Sequence, residues 1–187
     1  MPAEVVDLAG FKLVKAAARV RDMVRTRLGL ELTRQTALTD LDDQVLASLI
    51  SFEPASTDFL QDLIARLLDV AQGQSFDSLD GRVKMAVLDS YVALLDQLRF
   101  ECLRRLGWIV SYPGQGRPLV EVALEPESVR QAGPALEMSP HHPDQPEFEL
   151  RRETDGEVVV RQLIPSAVET FIARHGRSRP GEGPPPG

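Results

Sequence analysis

The sequence predicts an α+β fold: an N-terminal bundle of about four helices, then a small antiparallel β-sheet and a short C-terminal helix. Proline divides the chain, because only Pro2 and Pro54 precede residue 110 and the other 12 of the 14 prolines follow it. Since proline breaks helix interiors, the first 110 residues can be mostly helical and the rest cannot. Apolar residues also recur at helical spacing before Gly107 and alternate along the chain after it.

The first two helices are predicted from apolar periodicity and capping residues. The first spans residues 3–28, with Gly29 placed to end it in a left-handed cap. The second begins at Thr39, where Thr39 and Asp42 resemble a capping box. The apolar positions fall on one face of each helix: Val6, Leu13, Ala17, Val20 and Val24 in the first, and Leu41, Val45 and Leu49 in the second.

The third and fourth helices follow Pro54. The third is capped by Ser56 or Thr57 and stops at Gly73. The fourth, over residues 79–106, carries two adjacent apolar stripes, so we expect it to be central and buried on more than one side. The first stripe comprises Val87, Tyr91, Leu94, Leu98 and Cys102, and the second comprises Met85, Leu88, Val92 and Leu103.

A β-hairpin is the clearest local pattern after residue 110. Its strands span residues 148–153 and 157–163, and Gly156 suits the left-handed position of a three-residue loop between them. This register sets Glu149 opposite Arg161, a favourable cross-strand pair. It also groups four apolar residues on the other face: Phe148, Leu150, Val158 and Val160.

Shorter elements flank this hairpin. Residues 120–124 alternate like a strand, and residues 125–147 form a connection rich in Pro and Glu. Pro165 ends the second hairpin strand, and Ser166 caps a short helix that runs to His175. We therefore expect a helical bundle over residues 1–110, a small α+β segment docked on it over residues 111–175, and a disordered tail over residues 176–187.

Composition excludes several classes of protein. The chain of 187 residues is 43% hydrophobic and 26% charged, which is typical of a soluble globular protein. Cys102 is the single cysteine, so an internal disulfide and a Cys-rich zinc site are both excluded. No uncharged run approaches the roughly 20 residues of a membrane helix, and the acidic start lacks the basic region of a signal peptide. We expect a bacterial, cytoplasmic protein with no membrane partner.

Charge is distributed unevenly along a chain whose net charge is −7. Residues 12–27 hold six basic residues and one acid, whereas residues 31–80 hold ten acids and two basic residues. Four residues of the first helix could contact the phosphates of a nucleic acid: Lys12, Lys15, Arg19 and Arg25. We favour the alternative, in which this face is solvated or paired with the acidic second and third helices, and nucleic acid does not bind.

No residue set has the spacing of a catalytic, metal or cofactor site. His141 and His142 lie together in a Pro-rich loop without a third ligand at a recognisable spacing. Cys102 lies on the inner stripe of the fourth helix, where a structural thiol is expected. Gly114 and Gly116 do not form a dinucleotide-binding pattern. We therefore predict no catalytic residue, no metal ligand and no cofactor.

An apolar run, Trp108 to Tyr112, joins the helical part to the β part. We expect it to dock the two parts together, and Trp108 and Tyr112 are the candidates if it binds a partner instead. The favoured hypothesis is a non-enzymatic interaction protein, an adaptor or regulatory subunit that forms a homodimer through its helices. The alternatives are a nucleic-acid-binding regulator and an enzyme whose catalytic residues are dispersed along the sequence.

Overall fold

The computed structural model shows a mainly helical α+β fold, so the predicted fold class is confirmed. It describes residues 8–70, 75–127, 136–142, 146, 149–150 and 156–176. Six α-helices, two short 3₁₀ helices and a two-stranded sheet can be delimited within these ranges, and residues 126–127, 146 and 149–150 are also helical. The elements are α1 (Leu8–Leu28), α2 (Asp43–Ile50), α3 (Pro54–Leu67), α4 (Gly81–Arg105), β1 (Ile109–Ser111), α5 (Leu119–Leu124), β2 (Glu137–Met138) and α6 (Gly156–His175), with 3₁₀ helices at Leu38–Asp40 and Phe76–Ser78.

Local capping determines where α1 ends and α2 begins. Gly29 adopts a φ of 68°, and its N–H donates to the carbonyl of Arg25 at 3.0 Å, so the predicted left-handed cap is confirmed. Helix α2 begins later than predicted, because the side chain of Asp42 caps it by accepting a hydrogen bond from the N–H of Val45 at 2.7 Å. Thr39 lies instead in the first 3₁₀ helix.

Helix α3 begins at Pro54 rather than at the predicted Ser56 or Thr57. Proline suits the first helical position, since an N–H group there has no intrahelical partner to lose. Ser56 is buried in the first turn, and its hydroxyl donates to the carbonyl of Leu49 at 2.8 Å. This serine therefore holds α3 against α2 instead of capping α3.

Helix α4 is central, as its two apolar stripes predict. Asp80 caps its N-terminus by accepting hydrogen bonds from the N–H groups of Arg82 and Val83. Helices α2, α3, α5 and α6 all pack against α4. The first stripe is buried apart from the half-buried Tyr91, whereas the second stripe is fully buried only at Leu103.

The predicted β-hairpin before Pro165 is wrong. Glu149 and Leu150 are helical, and Gly156–His175 forms one helix, α6, with Pro165 inside it. The predicted short C-terminal helix is the second half of α6. Three consecutive valines favour a strand locally, but burial along α6 follows helical spacing, at Val159, Val160, Ile164, Ala167, Val168 and Phe171. Packing of this face against α2 and α4 therefore overrides the β propensity.

The antiparallel sheet forms from other residues than the predicted ones. Strands β1 and β2 pair Ile109 with Met138 and Ser111 with Glu137. The strand predicted over residues 120–124 is wrong, because this segment forms α5 directly after Pro118. Periodicity cannot separate a strand from a helix in so short a segment when most of its side chains are buried, as are Leu119, Val120, Val122 and Ala123.

Helix α6 runs in the same direction as α4 beside its C-terminal half. The carboxylate of Asp96 lies 2.7 Å from the guanidinium of Arg161, and the thiol of Cys102 lies 3.7 Å from the carbonyl of Ala167. The second contact is six residues beyond the first in both helices. Gly156 therefore lies near the level of residue 91, and α6 does not run beside the first half of α4.

Buried apolar side chains from all six helices, α1 to α6, belong to one hydrophobic core. None of the helices in the described ranges combines the length and apolar character that crossing a bilayer requires. The predicted start of the first helix at residues 3–7, the predicted stop at Gly73 and the tail after Gly176 lie outside the described residues.

Candidate functional site

The four basic residues that are candidates for phosphate contact all lie on the exposed side of α1: Lys12, Lys15, Arg19 and Arg25. Two of them form ion pairs. Arg25 pairs with Asp22 of the same helix at 2.9 Å, and Arg19 pairs with Asp69, just beyond α3, also at 2.9 Å. The basic face is therefore partly neutralised within the molecule.

Arg19 also stabilises the C-terminus of α3. Its Nη1 donates to the carbonyl of Leu67 at 2.9 Å, while its Nη2 contacts Asp69. The last carbonyls of a helix have no intrahelical donor, and their partial negative charge favours a cation. Arg19 thus holds α1 against α3. This contact gives a structural role to a residue that was a candidate for binding nucleic acid.

Trp108 and Tyr112, the two candidate partner-binding residues, differ in exposure. Tyr112 is only 2% exposed, and its ring lies 6.4 Å from that of Phe100 between centroids. Trp108 is half-buried, its ring lies 5.2 Å from that of His142, and its carbonyl accepts a hydrogen bond from the N–H of Ser139 at 3.0 Å. Both residues therefore attach the β1 segment to its neighbours, and Tyr112 presents almost no surface to a partner.

A buried carboxylate organises the polar interior. Glu101 of α4 is fully buried, and its two oxygens accept hydrogen bonds from three residues. Arg104 donates through two nitrogens at 2.8 Å each, Arg105 donates through Nε at 2.7 Å, and the hydroxyl of Tyr112 donates at 3.0 Å. Glu101, Arg104 and Arg105 all belong to α4. Their spacing of three and four residues places their side chains next to one another on the helix surface.

The same network extends from α4 to α2 and α6. Arg105 Nη1 lies 2.7 Å from one carboxylate oxygen of Asp43, and its Nη2 donates to the carbonyl of Thr39 at 3.2 Å. The other oxygen of Asp43 lies 3.3 Å from Nδ1 of His175, the last residue of α6. These contacts tie the start of α2 and the end of α6 to the end of α4.

Electrostatics keep the Glu101 carboxylate ionised. Burial alone would raise its pKa, but the hydrogen bonds from Arg104, Arg105 and Tyr112 outweigh burial and hold the pKa below its ordinary value. Burial and the adjacent carboxylate raise the pKa of the Tyr112 hydroxyl. A carboxylate with three donors has little capacity left to accept a proton from a substrate.

The remaining candidate groups do not converge. Burial raises the pKa of Cys102 to about 12, and its thiol donates to the Ala167 carbonyl, so it behaves as a structural thiol. His141 is exposed, and His142 packs beside Trp108. Within the described residues, no three His, Cys, Asp or Glu side chains are grouped as metal ligands.

Two clefts lie beside the C-terminal end of α1. One, of 360 Å³, lies between α1, the turn before α3 and the end of α6, where Leu28, Phe59 and Ile172 contribute apolar walls. The other, of 470 Å³, lies between α1, α3 and the second 3₁₀ helix. Its charged lining residues have both signs: Arg27, Asp58, Asp62, Arg66 and Asp77. Neither arrangement favours a ligand of one charge.

An apolar strip lies on the outer face of α4. It consists of Met85, Leu88 and Val92, and we call it the α4 strip. Met85 is 66% exposed, Val92 is 51% exposed, and Leu88 is half-buried. Their spacing of three and four residues places them side by side, so they form a continuous patch and not scattered residues.

A stacked arginine continues this face beyond the α4 strip. Arg99, seven residues after Val92, lies with its guanidinium carbon 5.0 Å from the ring centroid of Phe52, which is 56% exposed. The Nε of Arg99 is buried, and no described residue accepts a hydrogen bond from it. Desolvation lowers the pKa of Arg99, and Asp96 and Arg161 lie near enough to influence it with opposite signs. The face thus ends in an arginine whose Nε has no acceptor within the part of the chain that the structure describes.

Comparison with known proteins gives no relative from which a role could be transferred: no family model matches the chain, and no curated protein or solved structure is significantly similar to it. The arguments for function therefore rest on the surfaces and clusters of this molecule.

Sequence reasoning identified the α4 strip but not Glu101 or Arg99. The sequence positions of both charged residues could have identified them. Glu101 lies between Leu98 and Cys102, in a helix already predicted to be buried on more than one side, and two arginines follow it at spacings of three and four. Arg99 lies one heptad beyond Val92, on the face that the second stripe defines.

Proposed function

We propose that this protein is a non-enzymatic interaction protein, an adaptor or regulatory subunit, that acts through protein contacts made by the α4 strip. The single observation that carries the proposal is the exposure of Met85 and Val92 on one face of a central helix. Exposed apolar residues that form a patch are typical of surfaces that bind another protein.

The position of the α4 strip supports this proposal. Asp80 caps the helix, and the adjacent first apolar stripe anchors α4 in the core. A surface on such a helix is held in place before binding, which reduces the ordering cost of association. Methionine adds an unbranched side chain that adapts to differently shaped partners.

The buried charges support the non-enzymatic part of the proposal. Glu101 is hydrogen-bonded to Arg104, Arg105 and Tyr112. It does not line either of the two clefts described above. The network instead joins α2, α4 and α6, so its groups contribute to the scaffold that presents the α4 strip.

Site-specific photo-crosslinking in cells tests the proposal. A photoreactive amino acid at Val92 should give a defined crosslinked product, whereas the same amino acid at Thr26, which is exposed on α1, should not. Adding Met85→Glu should suppress the Val92 product, since it places a charge in the apolar contact. The same product pattern at both positions, or a Val92 product unchanged by Met85→Glu, would contradict the proposal.

A further inference from the structure

We propose that the outward face of α1 docks on an anionic lipid bilayer, with Phe11 and Val14 inserted between the lipids and Lys12 and Lys15 at the headgroups. This face belongs to a different helix from the α4 strip, so bilayer contact goes beyond the proposed function. A helix that lies on a bilayer needs no spanning segment. Such contact therefore departs from the expectation, drawn from the sequence, of no membrane partner.

Phe11 lies on the side of α1 opposite the core. It precedes the fully buried Val20 by nine residues, and at 3.6 residues per turn this spacing places the two side chains on opposite sides of the helix. Phe11 is 60% exposed, and Val14, its neighbour three residues later, is 45% exposed. The fold therefore leaves both apolar side chains available for contacts outside the molecule.

Two exposed cations flank this apolar pair. Lys12 and Lys15 each follow one of the two apolar residues directly, and both lysines are exposed. Arg19 and Arg25 pair with carboxylates, whereas neither lysine forms an ion pair with any described residue. A lysine stem can lie along an apolar surface while its ammonium group reaches a charged partner. The two lysines are therefore placed to contact anionic headgroups beside the inserted side chains.

The charge of α1 suits an anionic surface, although the whole chain has a net charge of −7. Residues 8–21 contain four basic residues and no acid. Glu4 and Asp7 precede them, outside the described residues, and residues 4–27 still hold six basic residues against three acids. Since exposed charges are screened beyond about 8 Å at physiological salt, the local basic excess outweighs the more distant acids.

A bilayer suits this combination of residues better than a protein or a nucleic acid does. Lysine is depleted at protein interfaces, whereas lysines beside an exposed phenylalanine are typical of helices that lie in the membrane interface. A nucleic acid could stack a base on Phe11, but Val14 offers it no comparable contact. With two apolar side chains and two cations, we expect weak and reversible binding.

Cosedimentation of the full chain with vesicles provides the test. The chain should bind phosphatidylcholine vesicles that contain about one-third phosphatidylserine, and it should bind pure phosphatidylcholine more weakly. Phe11→Ala should lower the partition coefficient about tenfold or more, and Lys12→Gln and Lys15→Gln should each lower it about fivefold. The matched controls, Phe52→Ala and Arg34→Gln, change exposed residues outside α1 and should leave the coefficient unchanged.

Fluorescence quenching measures insertion directly. In the Phe11→Trp variant, lipids brominated on their acyl chains should quench the new tryptophan, because this side chain enters the bilayer. The native chain is the control, since Trp108 is its single tryptophan and lies outside α1. Its emission should not change when brominated lipids replace ordinary ones.

Three results would overturn the bilayer contact. They are no binding to vesicles of either composition, a Phe11→Ala variant that partitions like Phe52→Ala, and equal quenching of the Phe11→Trp variant and the native chain. Labelled DNA or RNA that binds while vesicles do not would assign this face to nucleic acid instead. Circular dichroism of each variant separates loss of binding from loss of fold.

Discussion

Gln97 and Gly114 fit together so closely that a side chain at position 114 would force the Gln97 amide to move. The N–H of Gly114 donates to Oε1 of Gln97 at 2.8 Å, and both residues are buried. A Cβ atom built on Gly114 would overlap the Gln97 amide. This contact holds the loop after β1 against the middle of α4, and it positions the neighbouring Tyr112 for its hydrogen bond to Glu101.

Gly114→Ala should therefore destabilise the fold by about 1–3 kcal/mol, the range for overpacking a close-packed site. Gly81→Ala is the matched control, since nothing lies within 4 Å of its added Cβ atom and its φ is not positive. That control should change the free energy of unfolding by less than about 0.5 kcal/mol or increase it slightly. Urea unfolding measures both variants, and an equal effect would refute the packing argument.

Loss of the buried carboxylate should be costlier than loss of the hydroxyl that contacts it. Glu101→Leu leaves two arginines without their shared partner, so we expect about 3–5 kcal/mol of destabilisation. Tyr112→Phe removes one hydrogen bond while Arg104 and Arg105 remain bound, so we expect about 1–3 kcal/mol. Chemical denaturation of both variants checks the order. A cost for Glu101→Leu below that of Tyr112→Phe would contradict the proposed role of Glu101.

The lowered pKa of Glu101 predicts a specific acid dependence of stability. The ordinary pKa of this group is 4.5, and its value in the folded protein is lower. Its contribution to stability is therefore fully present above the ordinary pKa and is lost as the pH falls through the folded-state value. Glu101→Gln cannot titrate, so the difference in unfolding free energy between the native chain and this variant should shrink from about pH 6 to pH 3. A difference that stays constant over this range would contradict the ionised buried carboxylate.

The inner stripe of α4 should be sensitive to truncation. Leu94 and Leu98 are fully buried at the middle of the stripe. Replacing either with alanine should cost about 2–5 kcal/mol, the range for large-to-small changes in a packed core. Val14→Ala on α1, where the side chain is exposed, should cost less than about 0.5 kcal/mol. Thermal or urea unfolding that ranks Val14→Ala with the two leucine variants would contradict the packing of α4.

Nucleic acid should not bind at physiological salt, because Arg19 and Arg25 are paired within the molecule and the net charge is −7. Fluorescence anisotropy with labelled DNA and RNA checks this expectation. Lys12→Glu and Lys15→Glu are the informative variants, since both residues are exposed on α1 and their replacement leaves the Arg19 contacts in place. Binding that weakens with salt and disappears in these variants would favour the nucleic-acid-binding alternative.

The sequence by itself determined the helical core, because its signals are local or repeat along one helix. Gly29 ends α1 in the left-handed cap that the sequence predicts. The stripe from Val87 to Cys102 predicts which face of α4 is buried, since periodicity depends only on the helix itself. The prediction that the proline-rich part after residue 110 cannot be mostly helical was wrong, because α5 follows Pro118 directly and α6 contains Pro165.

Tertiary packing alone decided the elements after residue 110. The valines at 158–160 suit a strand locally. In the helix that forms instead, the apolar face of α6 as far as Phe171 is buried against α2 and α4. The same is true of the polar contacts: Arg19 reaches Leu67, and Tyr112 reaches Glu101, across separations that leave no pattern in the sequence. Such contacts depend on how elements pack in space, and the free energy of that packing outweighs the local propensity of any short segment.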